Sequence, residues 1–266
     1  MRQGPRVDEQ RLPIACRWSL RALGSVEPGS SPSPRDPVSA WLLKQRPALA
    51  PQFAAPSILT MVRVRSVWFD ERIAEFLSGP GTVVTVGSGL DSRWSRLPHA
   101  AERFVEVEEP SLIEFKSSLF EGSMFSEVWK RVRSISAAEA DWPGAPVDGP
   151  VIVALEGVST RLGGRGLRVL LGRLRRSYPD AALLVDVPGF LTSTTGSSVG
   201  GAQWEPFGSQ GAAHLSHAEI RALGLEIHED QTLVGRPDLR LAFNGTRCPG
   251  MEPLRLLSLR PARLEA

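Results

Sequence analysis

The sequence of 266 residues has little of several features that mark common classes of protein. Its two cysteines, Cys16 and Cys248, lie far apart, which excludes a disulfide framework and a cysteine-based zinc site. It contains no run of eighteen apolar residues, so we expect no membrane-spanning helix and no membrane partner. Its 31 basic and 29 acidic residues nearly cancel, to a formal net charge of +2, which argues against nucleic acid as a partner.

Motifs for several kinds of ligand are missing as well. The four histidines form no H-E-x-x-H pattern, and we predict no metal site. No G-x-x-x-x-G-K-[ST] loop occurs, which argues against an ATPase. Residues 1–20 carry charges throughout and lack a continuous apolar stretch, so we expect no secretory signal and a cytoplasmic protein.

The most informative pattern that is present is a strand followed by a glycine-rich turn. The β-branched run over residues 82–86 predicts a buried strand. Gly87 and Gly89 follow it and allow a sharp turn with a close backbone approach to a ligand. A second predicted strand, residues 103–107, is followed by Glu108, and an acid at this place binds ribose hydroxyls in nucleotide-binding α/β folds. The pattern predicts a site for an adenosine-containing cofactor.

The turn by itself leaves the identity of that cofactor open. The dinucleotide fingerprint G-x-G-x-x-G requires a third glycine, and Ser92 stands at that place, which weakens an NAD or FAD interpretation. Two glycines followed by Asp91 fit a cofactor without a pyrophosphate, such as S-adenosylmethionine. Ordinary turn glycines without a ligand are the alternative.

Strands and helices alternate along most of the chain. The predicted strands are 82–87, 103–107, 131–135, 150–155, 182–187, 224–228 and 239–243, and the predicted helices are 57–77, 109–121, 163–178 and 216–223. This alternation predicts an α/β fold with a mostly parallel sheet and helices on both faces. We expect one domain over residues 38–266, preceded by a poorly ordered extension over residues 1–37 that is rich in Pro, Ser and Gly. The polar stretch at about 188–215 is long for a connection and predicts a lid or substrate-facing insertion.

Two charged residues near the glycine turn are candidates for cofactor contacts. Arg65 is in the helix before the first strand and could bind a cofactor carboxylate through two hydrogen bonds. The alternative is a solvent-facing helix arginine, and Arg63 is a nearby competitor for the role. Asp91 could accept a hydrogen bond from a cofactor amine or cap the following helix.

Further candidates follow later strands. Glu156 ends the apolar strand 150–155, and a charge at the tip of a buried strand needs a partner, so it is a candidate for a contact with the cofactor amine or the reacting centre. An ordinary strand-exit residue is the alternative. His214 and His217 are candidate general bases for a hydroxyl acceptor, against structural or surface roles. Glu139 precedes a loop after the third strand, a usual place for adenine contacts.

Four segments in this order resemble the leucine carboxyl methyltransferase family. They are RSVWFDE at residues 65–71, VGSGLDSRWSRL at 86–97, VEVEEP at 105–110 and ALEGV at 154–158. Within that family the sequence is most similar to the bacterial O-methyltransferases of polyketide pathways, the tetracenomycin C-ring carboxyl methyltransferase type. The resemblance covers about residues 57–245.

The resemblance implies a Rossmann-like, class I S-adenosylmethionine-dependent methyltransferase. The cofactor would be S-adenosylmethionine, and the methyl group would go to a carboxylate or hydroxyl oxygen of a small-molecule acceptor, a secondary metabolite. By match, Arg65 would hold the cofactor carboxylate, Gly87 and Gly89 would provide the close backbone approach, and Glu108 would bind the ribose where the family usually has Asp. Glu139 falls where the family has an acid near adenine.

The sequence departs from the family at one informative position. The family often has a Tyr four to five residues after the acid that Glu156 matches, and this chain has Arg161 there. The departure leaves the acceptor open, and an arginine would suit an anionic one. A nicotinamide-dependent oxidoreductase and a non-catalytic cofactor-binding protein of the same fold are the alternative functions.

Overall fold

The computed structural model describes residues 12, 14–25, 36–51, 56–97, 101–137, 149–188, 215–232 and 254–262. The helices are α1 (Ile14–Gly24), α2 (Pro37–Gln45), α3 (Pro56–Leu77), α4 (Arg93–Arg96), α5 (Pro110–Phe120), α6 (Ser126–Trp129), α7 (Ser159–Ser177) and α8 (His217–Ala222). The strands are β1 (Thr82–Val86), β2 (Phe104–Glu108), β3 (Arg133–Ser136), β4 (Val151–Leu155), β5 (Ala182–Pro188), β6 (Leu225–Thr232) and β7 (Leu254–Pro261). Two short 3₁₀ helices lie at Pro47–Leu49 and Ala101–Arg103.

Seven strands form one sheet in the order β3-β2-β1-β4-β5-β7-β6. Strands β1 to β5 pair in parallel, whereas β7 pairs antiparallel with both β5 and β6. The chain builds outward from β1 to β3 and then crosses back to place β4 on the other side of β1. In open α/β sheets such a reversal leaves a crevice at the carboxyl ends of the strands, where ligands bind.

Successive residues of the central strands face opposite sides of the sheet and enter two different cores. Val83 of β1 packs in one core with Trp68 of α3 and Phe115 of α5. Val84 packs in the other with Leu167 of α7. Because both faces are covered, the central parallel strands β1, β2 and β4 consist almost entirely of buried residues, as the sequence predicted.

The predicted elements between residues 57 and 187 match the observed ones to within a few residues. The larger difference concerns β7, which the sequence did not predict. The predicted strand at 239–243 lies outside the described residues. Strand β7 has four buried leucines, but Arg255 and Ser258 interrupt them, and no clear alternation marks the segment.

The sequence predicted a poorly ordered extension over residues 1–37. Within it, residues 14–24 form helix α1. Trp18 and Ala22 of α1 pack against Ile58 and Val62 of α3. Arg63 of α3 also donates a hydrogen bond from Nε to the carbonyl oxygen of Ala22 at 2.7 Å. The Pro- and Ser-rich composition is concentrated after α1, whereas the helix itself has enough apolar residues to pack.

Neither a membrane span nor a metal-binding group is found among the described residues. No helix there combines the length and apolar character needed to cross a bilayer. The same ranges contain no group of three or more His, Cys, Asp or Glu side chains arranged to hold a metal ion.

Candidate functional site

The candidate site lies at the carboxyl ends of β1, β2 and β4. The glycine loop, residues 87–91, leaves β1, Glu108 is the last residue of β2, and Glu156 directly follows β4. Since β1 pairs in parallel with both β2 and β4, the three strand ends meet at one edge of the sheet. The topology therefore brings these three segments of the chain together.

Both glycines of the loop adopt a left-handed backbone conformation. The φ angles are +65° at Gly87 and +61° at Gly89. A Cβ atom on Gly87 would lie 2.6 Å from Nη2 of Arg161, and one on Gly89 would overlap Sγ of Cys16. Other residues are thus disfavoured by backbone conformation at both positions, and at Gly89 also by the buried Cys16 side chain.

Side chains from α1 and α7 lie against these glycines. We call the surface formed by Gly87, Ser88, Gly89, Cys16 and Arg161 the loop face. Burial raises the pKa of the Cys16 thiol, which is 8% exposed. Cys16 belongs to α1, so this helix, which sequence analysis assigned to a poorly ordered segment, forms part of the loop face.

Glu108 is fixed beside the loop by the backbone. Its Oε1 accepts a hydrogen bond from the Gly89 N–H, and its Oε2 accepts one from the Glu109 N–H at 3.3 Å. The side chain is buried at the carboxyl end of β2, next to the glycine loop, where the sequence predicted a ribose-binding acid. Glu106, two residues earlier on β2, is bound instead by Lys116 Nζ at 2.5 Å.

A group of eight buried or nearly buried charged side chains lies next to the loop. This ionic cluster consists of three arginines and five carboxylates: Arg65, Arg93, Arg96, Asp36, Asp70, Asp91, Glu156 and Asp186. Its members come from α3, α4, the glycine loop, the end of β4 and β5, and from the residue that caps α2. The cluster joins elements that lie far apart in the sequence.

Arg65 is held within this cluster and does not face solvent. Its Nε donates to Glu156 Oε1 at 3.0 Å, and its Nη1 donates to Asp186 Oδ2 at 3.1 Å. Burial lowers the pKa of Arg65, but the charges of Asp186 and Glu156 outweigh burial and raise it. The remaining nitrogen, Nη2, has no hydrogen-bond partner within the described part of the chain and lies near Gly157.

Glu156 accepts three hydrogen bonds from protein groups. The donors are Arg65 Nε, Ser66 Oγ at 2.7 Å and Arg93 Nη2. Burial raises the pKa of Glu156, but the charges of Arg65 and Arg93 outweigh burial and lower it, so the carboxyl group stays ionised at neutral pH. A carboxylate has about four acceptor sites, which leaves room for one more donor.

Asp91 contacts two arginines and does not cap α4. Its carboxylate oxygens lie 3.0 Å from Arg93 Nη1 and 2.5 Å from Arg96 Nη1. The cap position of α4 is Ser92, whose side chain makes no capping hydrogen bond. Burial raises the pKa of Asp91, but Arg93 and Arg96 outweigh burial and lower it to about 2.

A small cavity lies between α1, the loop and the cluster. Its volume is about 20 Å³, room for about one water molecule, and its walls include Ser19, Arg65, Ser88 and Glu156. The hydroxyl of Ser88 is buried and has no hydrogen-bond partner among the described residues. A buried hydroxyl without a partner is a natural position for a polar atom of a ligand.

Of the predicted site residues, two lie outside the described part of the chain and one lies away from the carboxyl ends of β1, β2 and β4. Glu139 and His214 lie outside the described residues. His217 is exposed at the start of α8, which packs on β6 at the antiparallel edge, and it does not line the cavity.

Sequence reasoning missed several residues of the site. Asp186 is a lone acid in an apolar strand, the same signal that identified Glu156, and could have been found in the same way. Arg93 and Arg96 lie in the resembling segment 86–97, but nothing in the sequence identified their partners. Cys16 has no sequence signal that links it to the glycine loop.

The sequence is similar to known methyltransferases over part of its length. Residues 19–145, just under half of the chain, match the family model described as leucine carboxyl methyltransferase. A protein of Mycobacterium tuberculosis (strain ATCC 25177 / H37Ra), named "Putative S-adenosyl-L-methionine-dependent methyltransferase", is 30% identical over 152 residues. That match covers 53% of this chain and 48% of the relative. The matches cover 30% to 48% of the length of these curated relatives.

Two solved structures have the same overall fold. A methyltransferase from Thermobifida fusca YX, titled as putative, is 15% identical, with a TM-score of 0.57 over 98% of this chain and 100% of that one. Magnesium protoporphyrin IX methyltransferase from Synechocystis PCC 6803, solved with bound SAH, is 13% identical, with a TM-score of 0.50 over 85% of this chain and 96% of that one. These likenesses confirm the predicted fold: the chain has the mostly parallel, Rossmann-like α/β fold of S-adenosylmethionine-dependent methyltransferases.

Proposed function

We propose that the protein is an S-adenosylmethionine-dependent O-methyltransferase that acts on a carboxylate or hydroxyl of a small molecule. The observation that carries the proposal is the Glu108 carboxylate at the carboxyl end of β2, which accepts a hydrogen bond from the Gly89 N–H of the neighbouring glycine loop. The family match over residues 19–145 and the names of the relatives support the same cofactor.

The polar groups around the cavity fit this cofactor. Glu108 would accept hydrogen bonds from the ribose hydroxyls, as acids at this position do in related α/β folds. Ser88 Oγ and Arg65 Nη2 offer hydrogen-bond donors that no described residue uses. Asp91 and Glu156 are ionised carboxylates that would face an ammonium group.

The present cavity is too small for a whole nucleoside cofactor. A volume of about 20 Å³ holds about one water molecule, and Ser19 and Cys16 of α1 restrict the space above the loop. We therefore expect binding to displace side chains of α1 from the loop face.

The bound cofactor supplies an electrophilic methyl group, and the protein supplies position and electrostatics. A carboxylate acceptor is ionised at neutral pH and needs no general base. No histidine lines the cavity within the described ranges, and both oxygens of Glu156 already accept protein hydrogen bonds. These features favour a carboxylate over a hydroxyl, for which His214 and His217 are the candidate bases. We extend the proposal to a secondary metabolite as acceptor, on the resemblance to polyketide O-methyltransferases.

Calorimetric titration tests the proposal directly. S-adenosylmethionine, S-adenosylhomocysteine and NAD are titrated into the wild-type protein and into Gly89→Val. We expect the first two to bind the wild type and to lose affinity in the variant, because a side chain at residue 89 blocks the loop face. Circular dichroism checks that the variant folds. Binding of NAD alone would overturn the proposal in favour of an oxidoreductase.

A further inference from the structure

Arg161 lies in the first turn of α7, and its guanidinium group reaches over the start of the glycine loop. Its Nη2 atom is 2.6 Å from the position that a Cβ atom on Gly87 would occupy. A side chain at residue 87 would collide with this group. Glycine at this position therefore allows Arg161 to lie directly on the loop face.

The four arginines near the loop divide into two kinds. Each arginine of the ionic cluster contacts at least two carboxylates. Arg161, in contrast, is exposed and makes no side-chain hydrogen bond or ion pair in the described part of the chain. It carries a charge beside the site that no described protein group neutralises by direct contact.

The nearest acids of the site are already engaged elsewhere. Glu108 accepts from two backbone N–H groups, and Glu156 accepts from two arginines and a serine. The charge of Arg161 nevertheless acts inside the site, because it opposes the rise that burial causes in the pKa of Cys16. The guanidinium group is thus available to a ligand at the loop face.

We propose that Arg161 binds a carboxylate group of a ligand at the loop face, a role that rests on the proposed function. The planar guanidinium fork matches a carboxylate with two parallel hydrogen bonds, and a neutral group would leave the charge uncompensated. The carboxylate belongs either to the methionyl part of the cofactor or to an anionic acceptor. Arg65, which the sequence assigned to the cofactor carboxylate, has two of its nitrogens bound to protein carboxylates.

The test compares Arg161→Met with a control variant later in α7. Arg165→Met removes an exposed arginine beyond the kink at Gly163, and this arginine makes no side-chain hydrogen bond or ion pair in the described structure. Methionine keeps much of the length and apolar character of the arginine stem in both variants. Thermal unfolding checks that both variants fold like the wild type.

The first arm of the test asks whether Arg161 binds the carboxylate of the cofactor. S-adenosylhomocysteine and 5′-methylthioadenosine, which lacks the amino-acid carboxylate, are titrated calorimetrically into the three proteins. If Arg161 binds the cofactor carboxylate, Arg161→Met lowers the affinity for S-adenosylhomocysteine by about tenfold or more and leaves the affinity for methylthioadenosine unchanged. Arg165→Met changes neither.

The second arm of the test asks whether Arg161 binds the carboxylate of an acceptor. Benzoate and benzamide are titrated into each protein, with and without saturating S-adenosylhomocysteine, and binding is followed by ligand-observed NMR. If Arg161 binds the acceptor, the wild type prefers benzoate and Arg161→Met loses that preference, while its affinity for S-adenosylhomocysteine is unchanged.

The inference is overturned if Arg161→Met behaves like Arg165→Met in both arms, whether or not the wild type binds S-adenosylhomocysteine. Failure of the proposed function is a separate result. In that case the wild type and Arg165→Met both fail to bind S-adenosylmethionine and S-adenosylhomocysteine.

Discussion

The ionic cluster and the loop face are neighbours, yet they use charged side chains in opposite ways. In the cluster every arginine contacts at least two carboxylates, and its charges connect α3, α4, β4 and β5. On the loop face Arg161 and the Ser88 hydroxyl have no hydrogen-bond partner among the described residues. The comparison teaches that paired charges in this fold connect the framework, whereas the unpaired polar groups next to them support the proposal of a ligand site at the loop face.

The largest effect is expected from breaking the cluster at its centre. Glu156→Gln removes the negative charge that Arg65 and Arg93 share, and breaking a buried ion pair on one side costs about 3–5 kcal/mol. Urea unfolding at neutral pH measures the loss. The matched control is Glu127→Gln, which removes an exposed ion pair with Lys130 and should change the stability little. Equal stabilities of the two variants would contradict a structural role for the cluster.

A loss of stability in acid is the next largest effect. The pKa of Asp91 is about 2 in the folded protein, below its ordinary value of 3.8, so its ionised form stabilises the fold above pH 4. This stabilisation, about 2 kcal/mol, is lost as the pH falls from 4 towards 2. The lowered pKa of Glu156 acts in the same direction, whereas the raised pKa values of Asp186 and Glu106 act in the opposite one.

Urea unfolding at pH 4.5 and pH 2.5 measures most of the acid effect. Asp91→Asn has no carboxyl group to protonate at this position, so its stability should change less than that of the wild type over the same range. An identical pH dependence of the two proteins would show that Asp91 is not ionised by its contacts with Arg93 and Arg96.

The smallest effect concerns the cover over Gly89. Cys16→Ala removes the sulfur atom that lies against this glycine, so a ligand has less to displace. We expect S-adenosylhomocysteine to bind a few-fold more tightly to Cys16→Ala, with little change in stability. Cys248→Ala is the control in the calorimetric titration. Weaker binding by Cys16→Ala would show that the sulfur contacts the ligand and does not compete with it.

The sequence predicted the framework of the site better than its charges. Strands β1, β2 and β4 were identified because buried parallel strands are continuous apolar runs, and Glu108 and Glu156 were found because they end such strands. The partners of these acids could not be predicted. Arg65 and Asp186 are 121 residues apart, and only the tertiary fold brings them together.

The sequence also misjudged the two ends of the described chain. Helix α1 was hidden by the Pro- and Ser-rich composition that follows it, although its Trp18 and Leu20 are buried. Strand β7 was missed because Arg255 and Ser258 interrupt its leucines. Both elements depend on partners from other parts of the chain, α3 for the helix and β5 and β6 for the strand.

The most direct test of the central claim is the affinity of S-adenosylhomocysteine for the wild type and for Glu108→Gln. The variant keeps the size of the side chain and an oxygen for the Gly89 N–H, but it loses the charge that would bind the ribose. The account predicts measurable binding to the wild type and an affinity about tenfold lower or weaker still in the variant. No binding to the wild type, or equal binding to both proteins, would contradict a cofactor site at the glycine loop.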